Sequence, residues 1–223
     1  SSIVAISAGH WHSLAIDSNG VVWVWGKTKD GRLGLANMAN AYPCYSSIPH
    51  RIPVVYNQTQ ETFAFGIQAA VSGADDGDLL MASAGTYYEN VEVFDTNITL
   101  ESMDPNNGDV VADTIIDAHY NNANSYTVDF ESGSDCTFAG FTLTNGTYAA
   151  LYCGGSSSVN ITDCRIENNA GNGIACNQSS AAITSSKIQD NADYGVEATG
   201  DCNVTIERSL IEGNGKSGVY AHD

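Results

Sequence analysis

The feature that most constrains this chain is a repeat of 22 to 23 residues, running from about residue 128 to its end. Ile161, Ile183 and Ile206 recur in phase. So do Ile166, Ile188 and Ile211; Asn169, Asn191 and Asn214; Gly173, Gly195 and Gly218; and Ile174, Val196 and Val219. One period earlier the columns hold Phe138, Leu143, Gly146, Ala150 and Leu151, and a further period back Val128 and Phe130 fall under Leu151 and Cys153. Short alternating stretches separated by Gly and Asn at this period specify a solenoid of stacked β coils, each burying its apolar residues against its neighbours. The GGxGxD calcium nonapeptide is absent, and so are the leucine ladder and helix formers of leucine-rich repeats. Inward Ile, Val and Leu should stack at the strand spacing of roughly 4.8 Å. The Asn169, Asn191 and Asn214 column reads as a structural amide ladder at a turn, in preference to a ligand set.

Upstream of the repeat, Phe65 to Val71 predicts a short amphipathic helix, Asp75-Asp-Gly-Asp78 a tight acidic turn, and Leu79-Leu-Met81 the first inward strand. From Gly66 to Ser102 the sequence resembles the entry cap of secreted pectate-lyase-like β-helix proteins, with Ala84 where that pattern usually has proline. The resemblance implies an all-β fold, a right-handed parallel β-helix over residues 65–223 with a short N-terminal capping helix. It also implies the family's polysaccharide lyases, hydrolases and esterases. Those enzymes work with clustered carboxylates, sometimes holding calcium, and an arginine or lysine near the sugar.

The first fifty-five residues have a different grammar. Ile6-Ser-Ala-Gly9-His-Trp-His12-Ser-Leu-Ala-Ile16 reads as a strand, Asn19-Gly20 as a hairpin turn, and Val21-Val-Trp-Val-Trp25-Gly26 as a second strand, followed by Gly31-Arg-Leu-Gly34. These blocks resemble the regulator-of-chromosome-condensation propeller repeat over residues 3–55. In that repeat the histidine at position 12 is expected to brace the blade, so His10 and His12 are read as structural. A single blade cannot bury both faces, so it is expected to be the last blade of a propeller lying upstream, or a remnant of one. The exchange-factor and chromatin activities of the family need the full ring and are not carried over. Pro43, Pro49 and Pro53 suggest a closing strand and then a linker over 56–64.

Charge removes several function classes. Asp and Glu total 26 against 8 Lys and Arg, a net charge of −18, which repels a phosphate backbone and excludes a nucleic-acid partner. No stretch is apolar for 18 residues, so no membrane span is expected in this segment. An acidic chain suits an extracellular or cell-surface setting. It begins without methionine and stops inside a repeat, as expected of an internal piece whose β-helix is truncated at the C-terminus. The six cysteines (Cys44, Cys136, Cys153, Cys164, Cys176, Cys202) lack CxxC or zinc spacing, so neither metal nor cofactor is expected. Buried thiols or one to three disulfides both fit. Cys153 and Cys176, one coil apart, are within reach of a bridge or form a buried thiol pair. Six N-x-Ser/Thr sequons occur, at Asn57, Asn97, Asn145, Asn160, Asn177 and Asn203; several follow from the repeat itself.

Stacking also allows a search for a site. From Cys136 onward no registered column holds acids on consecutive coils: Gln189 separates Glu167 from Glu212, and Asp163 faces Ser185. Arg165 neighbours Lys187 and, with Glu167 and Asp190, reads as a solvated ion-pair patch. No catalytic residue is assigned. The outward column Asp129, Tyr152, Ala175, Glu197, Tyr220 is different. Asp129 and Glu197 lie three coils apart, roughly 14 Å, beyond the roughly 5–9.5 Å of a glycosidase pair. Aromatic rings and carboxylates on a rigid face nevertheless suit sugar, making Asp129, Tyr152, Glu197 and Tyr220 candidate carbohydrate-binding residues. The expected function is a non-catalytic secreted or cell-surface scaffold or binding face, with polysaccharide or a surface protein as partner. The alternative is a polysaccharide-active enzyme whose catalytic coils lie partly outside this sequence. A periplasmic copper-maturation role has no Met or His cluster to support it.

Overall fold

The structure is a computed structural model describing residues 2–18, 21–27, 45–118 and 126–222. It divides into two units, Ser1–Val54 and Val55–Asp223.

From the third coil onward the second unit turns at left-handed corners that fall into three columns. Gly140, Asp163, Ser185 and Arg208 form one column of corners; Asn145, Asn168, Asp190 and Gly213 another; Ser132, Gly155, Gln178 and Gly200 the third. All have φ between 49° and 76°, a region in which Gly, Asn and Asp are least strained, and this is why those residues punctuate the repeat. Between corners run short strands. Leu79–Ala82, Gly85–Tyr87 and Val91–Phe94 make the first coil, and Asn203–Glu207, Leu210–Glu212 and Val219–His222 the sixth. Corresponding strands stack in parallel into three sheets, two of six strands and one of eight. The eight-stranded sheet is enlarged by a hairpin, Val55–Asn57 with Thr62–Ala64, added antiparallel to Leu79–Ala82. The segment 56–64, expected as linker, is thus largely strand.

Inward columns make the core. Leu80, Leu100, Phe138, Ile161, Ile183 and Ile206 stack in one sheet. Tyr87, Ile116, Leu143, Ile166, Ile188 and Ile211 stack in the second, and Val91, Val128, Leu151, Ile174, Val196 and Val219 in the third. Nearly all members of the first five coils are wholly buried. The glycine column marks where coils meet most closely: a Cβ on Gly173 would lie 2.6 Å from the Gly195 carbonyl oxygen, and one on Gly195 would lie 2.5 Å from that of Gly218. The amide ladder forms as expected. Asn169 Nδ2 donates to Asn191 Oδ1 at 2.7 Å, and Asn191 Nδ2 to Asn214 Oδ1 at 3.0 Å.

The N-terminal helix spans Ile67–Ser72 and buries Ile67, Ala70 and Val71. Its first N–H groups are satisfied by Glu89, which accepts from Ile67 at 2.6 Å and Gln68 at 3.1 Å. The five cysteines among the described residues are free thiols. Cys153 and Cys176 are register partners, both buried and unbridged, so the thiol-pair alternative is the one present. Burial pushes the Cys176 thiol up to about 12, which leaves it inert. Among the sequons, Asn57 is buried, donating to Asp78 at 2.7 Å, while Asn160, Asn177 and Asn203 are exposed.

The first unit is an antiparallel sheet of four strands, Ile3–Ala8, His12–Asp17, Val22–Lys27 and Tyr45–Ile52, in sequence order. Asp17 ties its hairpin together, accepting from Val21 N at 3.1 Å and Trp23 Nε1 at 3.2 Å. The His12 ring lies against Gly9, where a Cβ would meet its Cε1 at 2.6 Å, a packing role. Pro49 sits within the edge strand, where its missing N–H removes no ladder bond from a central strand. The Asn19-Gly20 turn, the Gly31-to-Gly34 block, Pro43 and Cys44 lie outside the described residues.

Candidate functional site

Register fixes the outward column of the third sheet. Glu92, Asp129, Tyr152, Ala175, Glu197 and Tyr220 are successive partners on six coils. Asp129 and Tyr152 are therefore neighbours, as are Glu197 and Tyr220, with the small Ala175 between the two pairs. The column places Asp129 and Glu197 three coils apart, as the repeat spacing predicts.

Each tyrosine of the column is joined by a second ring, Tyr126 from the first position of the strand Tyr126–Glu131 and Tyr194 from the turn before the strand Val196–Thr199. Tyr126 stacks on Tyr152 with centroids 4.4 Å apart and planes at 13°, and Tyr148 meets Tyr126 edge-on at 5.5 Å. Tyr194 stacks on Tyr220 at 4.6 Å and 10°, with His222 at 5.1 Å from Tyr220. Lys216 lies over Tyr194, 4.9 Å from its centroid, while its Nζ pairs with Asp193 at 2.8 Å. Glu197 is oriented by Asn172, whose Nδ2 donates to Oε2 at 2.7 Å.

Asp129 has an unusual environment. Its Oδ1 is shut off from solvent and has no hydrogen-bond partner among the described residues. Burial, with the charges of Glu131 and Glu92 beside it, raises its pKa from 3.8 to about 7. Glu92 is its register partner, roughly 4.8 Å away in backbone terms, and Glu131 lies two residues along the strand, roughly 6.6 Å. The same burial, with Tyr152, Asp129 and Tyr148 nearby, raises the Tyr126 hydroxyl well above the ordinary tyrosine range.

The carboxylate pair Glu92–Asp129 was not visible from periodicity. Val91 and Val128 are register partners although 37 residues separate them, because the second coil carries the extra helix Gly108–Asp113. A column read at 22 to 23 residues stops before reaching Glu92. Tyr148 and Tyr194 were missed because they sit in turns, and Tyr126 because alternation gives it the parity of the inward Val128 and Phe130 at the start of its strand. The Arg165 patch shows no convergence on a site: Arg165 Nη2 donates to the Gly108 carbonyl at 3.2 Å, Gln189 donates to Glu167 at 2.8 Å, and Lys187 meets Glu212 at 3.7 Å. No grouping of His, Cys, Asp and Glu able to hold a metal ion occurs among the described residues.

Residues 87–223 match the family model of the right handed beta helix region. That span is more than half of the chain, and it coincides with the stacked coils. The chain belongs to the right-handed β-helix family. Within this β-helix protein, residues 3–32 match a second family model, the regulator of chromosome condensation repeat, which falls in the four-stranded unit. No curated protein and no solved structure matches the chain. Among the described residues of the β-helix protein, no helix is long and apolar enough to cross a membrane.

Proposed function

We propose that this β-helix is a rigid scaffold presenting the outer face of its third sheet to carbohydrate, outside the cell or at its surface. The observation that carries the reading is the stacked pair Tyr126–Tyr152 beside Asp129 on regular, fully registered strands. A sugar ring offers an apolar face to an aromatic platform and hydroxyl donors to acceptors, and Glu92, Glu131 and Glu197 carry acceptor oxygens on the same face. Strands at fixed spacing hold these groups without an ordering penalty on binding. The acidic composition supports an exposed setting.

A panel of immobilised neutral and acidic polysaccharides tests this, with and without calcium. Retention of the protein on a polysaccharide, lost in Tyr152→Ala and kept in Tyr152→Phe, is the expected result. Absence of retention on every polysaccharide would leave the scaffold with a protein partner instead.

One observation favours a second reading, catalysis. A carboxyl held protonated up to about pH 7, flanked by two carboxylates, is the arrangement of a general acid beside an anionic base or nucleophile. Release of reducing or unsaturated ends in the same samples, abolished in Asp129→Asn, would select it over simple binding.

A further inference from the structure

The third sheet carries two aromatic platforms, and their relation to each other says more than either one alone. Tyr126–Tyr152 spans the second and third coils, and Tyr194–Tyr220 the fifth and sixth. Tyr152 and Tyr220 occupy one column, three register steps apart, which is roughly 14 Å. Between them the column dips to Ala175, whose side chain is buried, and then rises to Glu197, which Asn172 holds by its Oε2. The face is thus a shallow trough running along the solenoid axis, with a two-ring shelf at each end and an acceptor near each shelf.

Its charge has one dominant sign. Glu92, Asp129, Glu131 and Glu197 lie in or next to the trough. Lys216, at the far shelf, is already paired with Asp193. With −18 over the whole chain, an anionic polymer would be repelled along its full length.

Resting on the carbohydrate reading above, we infer that the ligand is a linear polysaccharide free of acidic groups, laid parallel to the solenoid axis and bridging both tyrosine shelves. A short oligomer reaches one shelf. A chain of about four units reaches both, and the second contact then becomes intramolecular, which multiplies affinity with no contact of a new kind. Length dependence with a threshold, and not a smooth rise, is the signature of such a bridge.

Calorimetric titration of the protein with cello-, xylo- and mannooligosaccharides of two to six units tests this, with oligogalacturonides as the acidic control. For at least one neutral series, affinity should rise by about tenfold or more between the dimer and the pentamer. Tyr152→Ala and Tyr220→Ala should each return the hexamer to the affinity of the dimer, while Tyr152→Phe and Tyr220→Phe keep the threshold. Thermal melting of each variant verifies that the solenoid remains folded. Neutral binding without a length threshold, or unaffected by Tyr220→Ala, would overturn the bridge and leave a single-shelf carbohydrate site standing. Oligogalacturonide binding as tight as the neutral series would overturn the charge selection. If no oligomer binds while the immobilised panel also fails, the carbohydrate reading itself falls with the bridge.

Discussion

Two residues show how far the coil geometry reaches into single side chains. Ser185 is an exposed corner with φ of 50°, where an L side chain is held in a conformation costing roughly 1–2 kcal/mol. Ser185→Gly should therefore raise stability to urea by up to about 1 kcal/mol, part of the gain being offset by the freer unfolded chain. Ser185→Val should lose more than that, since a β-branched residue tolerates the left-handed region poorly. Asp129 is the opposite case, a side chain strained electrostatically. Its folded pKa of about 7 lies above an unfolded value near 3.8, so the folded state holds the proton more tightly. Ionisation of Asp129 then erodes stability as pH rises from about 4, and the loss is complete above about 7. Asp129→Asn removes that charge. Its melting temperature should match that of the unsubstituted protein near pH 4 and exceed it at pH 8; equal melting at both pH values would show that Asp129 ionises freely.

At the scale of elements, the turn ladders are as structural as the strands. Asn191 donates to Asn214 Oδ1 and to the Ile166 carbonyl, and its Oδ1 accepts from both the backbone and side-chain nitrogens of Asn169. Asn191→Ala would strip the buried Asn169 nitrogens and the Ile166 carbonyl of the preceding coil of a partner, while Asn214 Oδ1 keeps the Asn191 backbone N–H, and should cost up to about 3 kcal/mol, read as a lower urea midpoint at unchanged slope. Asn191→Asp should not rescue it, because a carboxylate cannot supply the donated bonds. This ladder was legible in the sequence because every coil from Asn169 onward has nearly one length, so that equivalent residues share a spacing. Legibility ended where coil length changed. The 37-residue step between Val91 and Val128 hid Glu92 from the column containing Asp129, and with it the only acid that register sets directly beside Asp129. The hairpin Val55–Asn57 with Thr62–Ala64 was hidden for another reason. It has no repeat of its own, and its strand character comes from pairing with Leu79–Ala82, a contact across more than twenty residues. Of the tyrosines that stack on Tyr152 and Tyr220, Tyr194 sits in a turn, where alternation carries no directional information, and Tyr126 opens a strand with the parity of its inward residues Val128 and Phe130.

At the scale of the whole molecule, the two units rest on very unequal cores. A single apolar cluster runs through the β-helix from Val55 and Ile67 to Val196, with Val204, Ile206 and Ile211 packed against it. Each coil covers its neighbours, so stability accumulates along the stack. Among its described residues the four-stranded unit buries only Val24 and Ile52 in its cluster, supported by Leu14 and Val22, and leaves Ile3, Val4, Ile6 and Trp11 exposed. At roughly 25 cal/mol per Å² of apolar surface, a sheet that covers so little on either face gains too little to offset the ordering of its backbone. The unit should open far more often than the β-helix, and proteolysis in the native state reads that difference directly. Under dilute trypsin the 223-residue chain should be cut early after Arg51, the last Lys or Arg before Arg165, and under thermolysin at the apolar residues that follow it. A fragment starting at Ile52 with trypsin, or between residues 52 and 67 with thermolysin, should then persist, identified by mass spectrometry, with its β-sheet circular dichroism intact. Cleavage of both units at one rate would mean that the blade draws its stability from elsewhere. The face carrying the exposed Ile3 and Ile6 beside the half-buried Trp23 and Trp25 would then be the place to look for what covers it.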